Sequence, residues 1–581
     1  MPFALGLEEL FGTVLQRIEI GDELQKTAKE CRQEYIDYIG RLSESHDLNW
    51  WLTSASEKNP FISNIFLYFC YVKICMRCME RFDDDLLIVC ESPALMRSLQ
   101  KNLENFPCTV ECIFQPFYSV VNAVKSWTER IRNKLWFLIR YTGRKMVAQY
   151  YLLKKSRFHS GENDREYVAI HSWADGRSFT RTDTYQEVYF GNLRDELEKK
   201  GCNVLYLVHV LPTLAYLQAV RELLRRDYDG VLFEEFYSYA DIMRVLVTLS
   251  ANYPCPQSIP PFMGLDVCAI VAHECTKDRI TTRAEQSYLC YFAGRNLCRD
   301  FRIHTFTYIF ENHMWEKMFC AGIKDAGGQT RTVGYQHSGV ISMFTCYAVS
   351  KFEAEWMPLP DLIVASGSAA REQLIASGFN PKSIVVGGAL RYSHLTEEMP
   401  SSHRGAGNTI LVALSASLNS SMELTYKALL AFGSAGDLSI IIKAHPIAPF
   451  EKIAQFLPPF PEHFHLSDKP INVLLRSADL VLYSESTVCV EALAHNIPII
   501  HIKSDFKIDL NLLEEVAWVP SLSSPEEIRA TSRNSLQNDT ISSEKARELV
   551  RRIFSPVKSE IASFFMKDGC KREEFSLRTI E

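Results

Sequence analysis

The chain has 581 residues, too many for one ordinary core, so two or three domains are expected. Hydrophobic residues make up 47% and charged residues 23%, a globular balance, and a net charge of -7 argues against a dedicated nucleic-acid binder. The 17 cysteines are odd in number and scattered, which excludes a regular disulfide framework and fits a reducing, cytoplasmic setting.

The opening "MPFALGLEELFG" has no basic stretch ahead of an apolar run, so no signal peptide is expected. Residues 1–80 read as a helical N-terminal region. Its most apolar run, Asn59 to Val72, is short of the roughly 20 residues that span a bilayer, and a buried helix is the expectation. Cys75 and Cys78 form a lone CxxC with no second pair nearby, which reads as two thiols on one helix face rather than a zinc site. "DDDLLIVCES" reads as a buried strand over Leu86–Cys90, led in by a solvated Asp83–Asp85 and followed by a helix from Pro93.

Residues 81–395 read as a Rossmann-like domain with a basic helical insertion at about 120–160. That insertion holds ten Lys and Arg between Lys125 and Arg157 against one acid, Glu129. Trp127, Leu135, Trp136, Ile139, Tyr150 and Tyr151 are interleaved with them, the pattern of a segment that contacts a membrane surface or of a helix with a solvated basic face. From residue 166 strands and helices alternate, with "QEVYFGNLRDELEKKG" expected as the first crossover helix. Such alternation means parallel strands with helical crossovers. A polar linker at 396–409 precedes a second alternation over 408–525, and 526–581 reads as C-terminal helices and a charged tail. Two doubly wound domains facing a cleft would bind ligands just past the carboxyl ends of their strands.

Four clusters fall at such ends. Lys443, His445 and Pro446 follow the apolar strand "LSIII", where an imidazole and an ammonium suit a phosphate. Ser484, Glu485, Ser486 and Thr487 open a helix after "ADLVLY", with Glu491 one turn on placed to accept from ribose hydroxyls; Ser415 ends the strand "ILVAL". N-capping explains one of these hydroxyls but not all three. Gln336 and His337, in "GYQHSG", are expected to project into the cleft from the first domain. Glu311, past "HTFTYIF", is a candidate general base, with Glu235 (beside Glu234) and Asp183 as competitors.

The order "GYQHSG", "DLIVASGSAAREQLIASGFNPKSIVVGGALRY", "KAHP", "SESTVCVEAL" resembles bacterial surface-carbohydrate glycosyltransferases of the capsule and O-antigen type, Kdo transferases among them, over about residues 300–510. The resemblance implies a GT-B fold and a nucleotide sugar, CMP-linked Kdo or a related ulosonic acid, bound mainly by the C-terminal domain. It carries the phosphate contact to His445 and Pro446 and to Ser484, Ser486 and Thr487, the base to an N-domain carboxylate, and needs neither metal nor cofactor. The acidic pair followed by Gly that marks sialyltransferases is missing, since "FEEF" has no Gly. The acceptor would be a glycan or lipid-linked glycan at the inner face of the cytoplasmic membrane. UDP- or GDP-sugar transfer, polyol-phosphate transfer and a non-catalytic membrane scaffold are the alternatives of the same fold.

Overall fold

The computed structural model describes residues 16–43, 47–82, 85–90, 92–104, 106, 118–154, 165–181, 183–226, 230–397, 407–446, 448–538 and 542–567. Its frame is two all-parallel sheets. The first comprises β1 (Glu166–Ala174), β2 (Asn203–Val210), β3 (Gly230–Leu232), β4 (Arg302–Ile309), β5 (Arg331–Gln336), β6 (Leu362–Ala365) and β7 (Ile384–Val386), in the order β3-β2-β1-β4-β5-β6-β7. The second comprises β8 (Thr409–Ala413), β9 (Ser439–Lys443), β10 (Phe464–Leu466), β11 (Leu480–Tyr483), β12 (Ile499–Ile502) and β13 (Ser521–Leu522), in the order β10-β9-β8-β11-β12-β13. Both are doubly wound Rossmann-like sheets, the paired-domain plan expected from the sequence. The strands read as continuous apolar runs because helices cover both faces; β11, Leu480–Tyr483, is buried throughout.

Winding outward from β1 and from β8 makes two topological switch points. One lies between β1 and β4, the other between β8 and β11. Glu311 follows β4, and Ser415 and Glu485 follow the two strands that flank the second switch point.

The N-terminal helices are part of the first domain's core rather than an appendage. Leu24, Tyr35, Trp51 and Phe69 share one apolar cluster with Phe306 and Phe319. The helix Gly21–Arg41 also reaches the second domain: Gln25 Nε2 donates to the carbonyls of Ser504 and Lys507 at 3.2 and 2.8 Å. Midway along it Arg32 Nη2 donates to Ser377 Oγ at 2.8 Å in the first domain. The C-terminus returns in the opposite sense. Phe554 stacks on Tyr392 at 4.3 Å, and Phe565 is buried in the first domain's second cluster.

Two expected elements are corrected. Residues 86–90 form no strand: Leu87 and Val89 are 57% and 45% exposed, because an apolar run needs a sheet neighbour before it can bury both faces. The expected crossover helix begins only at Leu193. Ahead of it the Glu187 carboxylate accepts from the amides of Tyr189 and Phe190, which holds the chain in a turn. Gly191, at φ +54°, passes the Leu390 carbonyl where a Cβ would stand 2.5 Å away. Asp83 and Asp84, the linker residues 398–406 and the tail past 567 lie outside the described residues. Pro93–Leu103 is helical as expected, capped by Ser92 Oγ accepting from Leu95 N.

Candidate functional site

The carboxyl end of β4 carries a chain of charges. The loop turns sharply at Asn312, φ +62°, and Glu316 holds the turn by accepting from the amides of Glu311 and Asn312 at 2.8–3.1 Å. Glu316 does the capping, which leaves the Glu311 side chain free for other work. Glu311 Oε2 accepts from His313 Nε2–H at 3.0 Å, and His313 Nδ1–H donates to Glu57 Oε1 at 2.7 Å. Arg283 Nη2 completes the chain by donating to the other oxygen of Glu57 at 2.7 Å. Glu57 is buried, whereas Glu311 is 27% exposed at its side chain.

Electrostatics follow from this order. Burial opposes charge on His313, but hydrogen bonds to Glu311 and Glu57 outweigh it and push the imidazolium up to about 10. Burial would raise the Glu311 carboxyl; the His313 hydrogen bond and the charges of His313 and Arg391 hold it down at about 2. Glu311 is therefore a permanent carboxylate. His337 Nε2 stands 3.9 Å from Glu311 Oε1, and burial pushes this imidazole down to about 4, so it is neutral. Among the described residues its Nδ1 has no partner. The Tyr189 ring meets it edge-on at 5.2 Å.

Gln336 does not enter the cleft. It is fully buried, and its Oε1 accepts from Ser366 N and Ser366 Oγ at 3.2 and 2.9 Å, which ties β5 to β6. Glu235 is likewise occupied: its Oε1 accepts from Leu232 N at 2.8 Å and closes a turn. Glu234 is buried against Arg144 at 3.4 Å, and Asp183 is exposed on the loop after β1. Of the three candidate bases, Glu311 alone is half-buried at the end of a strand next to the switch point.

On the second domain, Lys443 ends β9 and His445 is half-buried just beyond it, with Pro446 exposed. Burial lowers His445, and the charges of Arg391 and Arg177 lower it further. Both arginines belong to the first domain, so the strand ends of the two sheets face each other here. Burial raises Glu491, which Arg391 opposes. Ser484 Oγ is buried and, among the described residues, makes no hydrogen bond. Ser486 Oγ accepts from Val488 N at 3.3 Å, the ordinary capping role. Thr487 is the N-cap residue without a side-chain cap bond. The helix it opens, Val488–Ala494, has only seven residues, so its dipole is a weak phosphate anchor. Glu485 faces Ser415 Oγ at 3.5 Å and Lys507 Nζ at 3.6 Å.

Arg391 is the residue sequence reading missed. It lies after β7 in "GGALRY", and its charge acts on Glu311 and His337 on one side of the cleft and on His445 and Glu491 on the other. Its guanidinium lies 5.2 Å from the Tyr189 ring centre and 5.1 Å from that of Tyr392. Among the described residues it forms no salt bridge. A pocket of about 790 Å³ adjoins it, lined by Arg177, Arg181, Tyr185 and Gly191 among others. An Arg just past a Gly-rich strand end was the available signal. Glu57 and Arg283 had none, since they reach the site from 256 and 30 residues away in sequence from His313.

No protein-family model matches the chain, and no curated protein matches it. Among solved structures it is similar to the S. aureus MnaA–UDP co-structure, at 12% identity and TM-score 0.39, over 69% of this chain and 94% of that one. It is similar to UDP-GlcNAc 2-epimerase from Neisseria meningitidis bound to UDP-GlcNAc, at 9% identity and TM-score 0.41, over 69% and 99%. The glycosyltransferase SnogD from Streptomyces nogalater shows 14% identity and TM-score 0.39, over 69% and 98%. These are loose likenesses of architecture; the strand order defines the fold of this chain.

Proposed function

We propose that the protein transfers a sugar from a nucleotide donor to a hydroxyl of a glycan acceptor. One observation supports this reading above the rest: the charge of Arg391 acts both on a carboxylate–imidazole cluster of the first domain and on His445 and Glu491 of the second. The donor's phosphate would sit past β8, β9 and β11. His445, Lys443 and Ser484 would hold it from below and Arg391 from across the cleft. The acceptor oxygen then bonds to the anomeric carbon as the bond from that carbon to the phosphate oxygen breaks, and the nucleotide leaves with the electron pair. Arg391 and Lys443 meet the charge that develops on the departing phosphate.

Glu311 receives the acceptor's proton. At about 2 its carboxyl is too acidic to deprotonate a free sugar hydroxyl, but the hydroxyl becomes strongly acidic as its new C–O bond forms. Before that point the fixed negative charge favours the positive character growing at the anomeric carbon. The resemblance favours CMP-linked Kdo as donor; nothing among the phosphate-side residues selects a base, and UDP-sugars are an equal reading. Thermal shift with CMP, UDP and GDP, followed by product analysis with the sugar nucleotide that stabilises, decides between them. Absence of a shift with all three, or a shift that survives His445→Ala, overturns the placement.

A further inference from the structure

The helix Tyr118–Lys154 wears its apolar side chains outward. Trp127, Ile131, Leu135, Ile139, Met146 and Leu153 are 40–81% exposed and recur at intervals of four and seven, so they form one stripe along the solvent side. From Val124 to Leu153 that stripe is roughly 45 Å long at 1.5 Å per residue. The opposite side is the one packed inward, through Phe137, Tyr141, Ala148 and Tyr151. The stripe widens onto a neighbouring helix, Tyr239–Ala251, whose Tyr239, Met243 and Val247 are exposed at a spacing of four. Tyr239 OH joins the two helices by donating to Gln149 Oε1 at 2.9 Å. Soluble surfaces rarely expose apolar groups in so long a contiguous row.

Apart from Arg130, whose Nη2 donates to the Ser250 carbonyl at 3.5 Å, the basic residues of the helix divide into two sets. Arg144 pairs with buried Glu234, Lys145 Nζ donates to the carbonyls of Glu234 and Glu235 at 3.0 Å, and Lys134 pairs with Glu285. Those three are spent inside the fold. At 100° per residue, Lys125, Arg132, Arg140 and Lys154 lie along one flank of the apolar stripe, with exposed Trp136 among them. An apolar stripe edged by cations and an indole matches the boundary between acyl chains and anionic headgroups. No described helix is long and apolar enough to cross a membrane, so the helix would lie along the surface.

We infer that this face docks the protein on an anionic bilayer surface. Docking does not depend on the sugar chemistry and stands or falls separately from it. The full-length chain is to be sedimented with phosphatidylcholine vesicles with and without phosphatidylglycerol. Binding is expected only with the anionic lipid. Lys125→Ala/Arg132→Ala lowers the partition about 30-fold, from roughly one tenfold step per 1.4 kcal/mol and about 1 kcal/mol for each such cation. Leu135→Asp/Ile139→Asp abolishes binding; both positions are over half exposed, so the fold tolerates them, and an unchanged melting temperature verifies it. Wild-type protein that stays in the supernatant with anionic vesicles overturns the proposal. So does a dimer in gel filtration that Leu135→Asp/Ile139→Asp converts to monomer, since that outcome assigns the face to a second copy of the chain.

Discussion

Glu57→Gln tests the charge chain directly. Glu57 supplies one of the two carboxylates that keep His313 protonated. Held at about 10 against an ordinary 6.5, the imidazolium contributes about 4 kcal/mol to folding at pH 7. Its folded value is raised, so this contribution is complete below 6.5 and is lost as pH climbs through 10. The low values of Glu57 and Glu311 report the same two hydrogen bonds and are not counted again. Two bonds share the contribution, so the substitution removes about 2 kcal/mol at pH 7, a drop in melting temperature of roughly 2–3 °C for a domain of more than about 300 residues. Loss of the Arg283 partner adds a pH-independent part, below about 1 kcal/mol because that guanidinium is a third exposed. Calorimetric melting of wild type and variant from pH 6 to 10.5 should show the gap narrowing above pH 9. A gap below 1 °C at pH 7, or one as wide at pH 10.5 as at pH 7, refutes the assignment of a protonated His313 clamped between carboxylates.

Arg391→Ala should weaken nucleotide binding about 10- to 100-fold, the worth of a hydrogen bond to a charged group, with little change in melting temperature; calorimetric titration reads it, and an unchanged Kd refutes the phosphate role. Once the donor is known, Glu311→Gln should lower kcat about 100-fold or more while leaving KM within a few-fold; a variant that retains full kcat removes Glu311 from the chemistry. Arg144→Met strands Glu234 as a buried, unpaired carboxylate and should cost about 3–5 kcal/mol, most of it recovered in Arg144→Met/Glu234→Met; equal stability of the single and double variants in urea unfolding contradicts this. Gly322→Ala would set a Cβ 2.0 Å from the Tyr291 carbonyl, where the helices Arg283–Asp300 and Met314–Asp325 touch, and should destabilise by about 3 kcal/mol, measured in the same way.

Much of the architecture was legible because it rests on local pattern. Most strands were foreseeable as apolar runs between helical stretches, since a parallel strand buried on both faces must be apolar along its length. The two-residue strand Ser521–Leu522 was not, being too short to carry a pattern. Leu86–Cys90 shows the reverse failure, apolar composition with no neighbour to pair with. The amphipathic character of residues 125–157 was also visible in the sequence, but not its orientation. Only packing shows that Arg144 and Lys145 turn inward and Trp127 and Leu153 outward.

The site divides in the same way. "KAHP" and "SESTVCVEAL" come directly after apolar strands, and the parallel sheets deliver the residues at their strand ends to the cleft. On that ground the sequence alone placed His445, Ser484 and Glu311 just past strand ends. It could not separate Glu311 from Glu235, because a carboxylate's availability depends on which amide or cation lies beside it. Leu232 N engages Glu235, while His313 leaves one oxygen of Glu311 open. Tertiary structure alone brought Glu57 to His313 across 256 residues and brought the Arg391 charge to bear on His445 of the second domain. Charges act through space, and the distances that decide their protonation do not exist until the chain has folded.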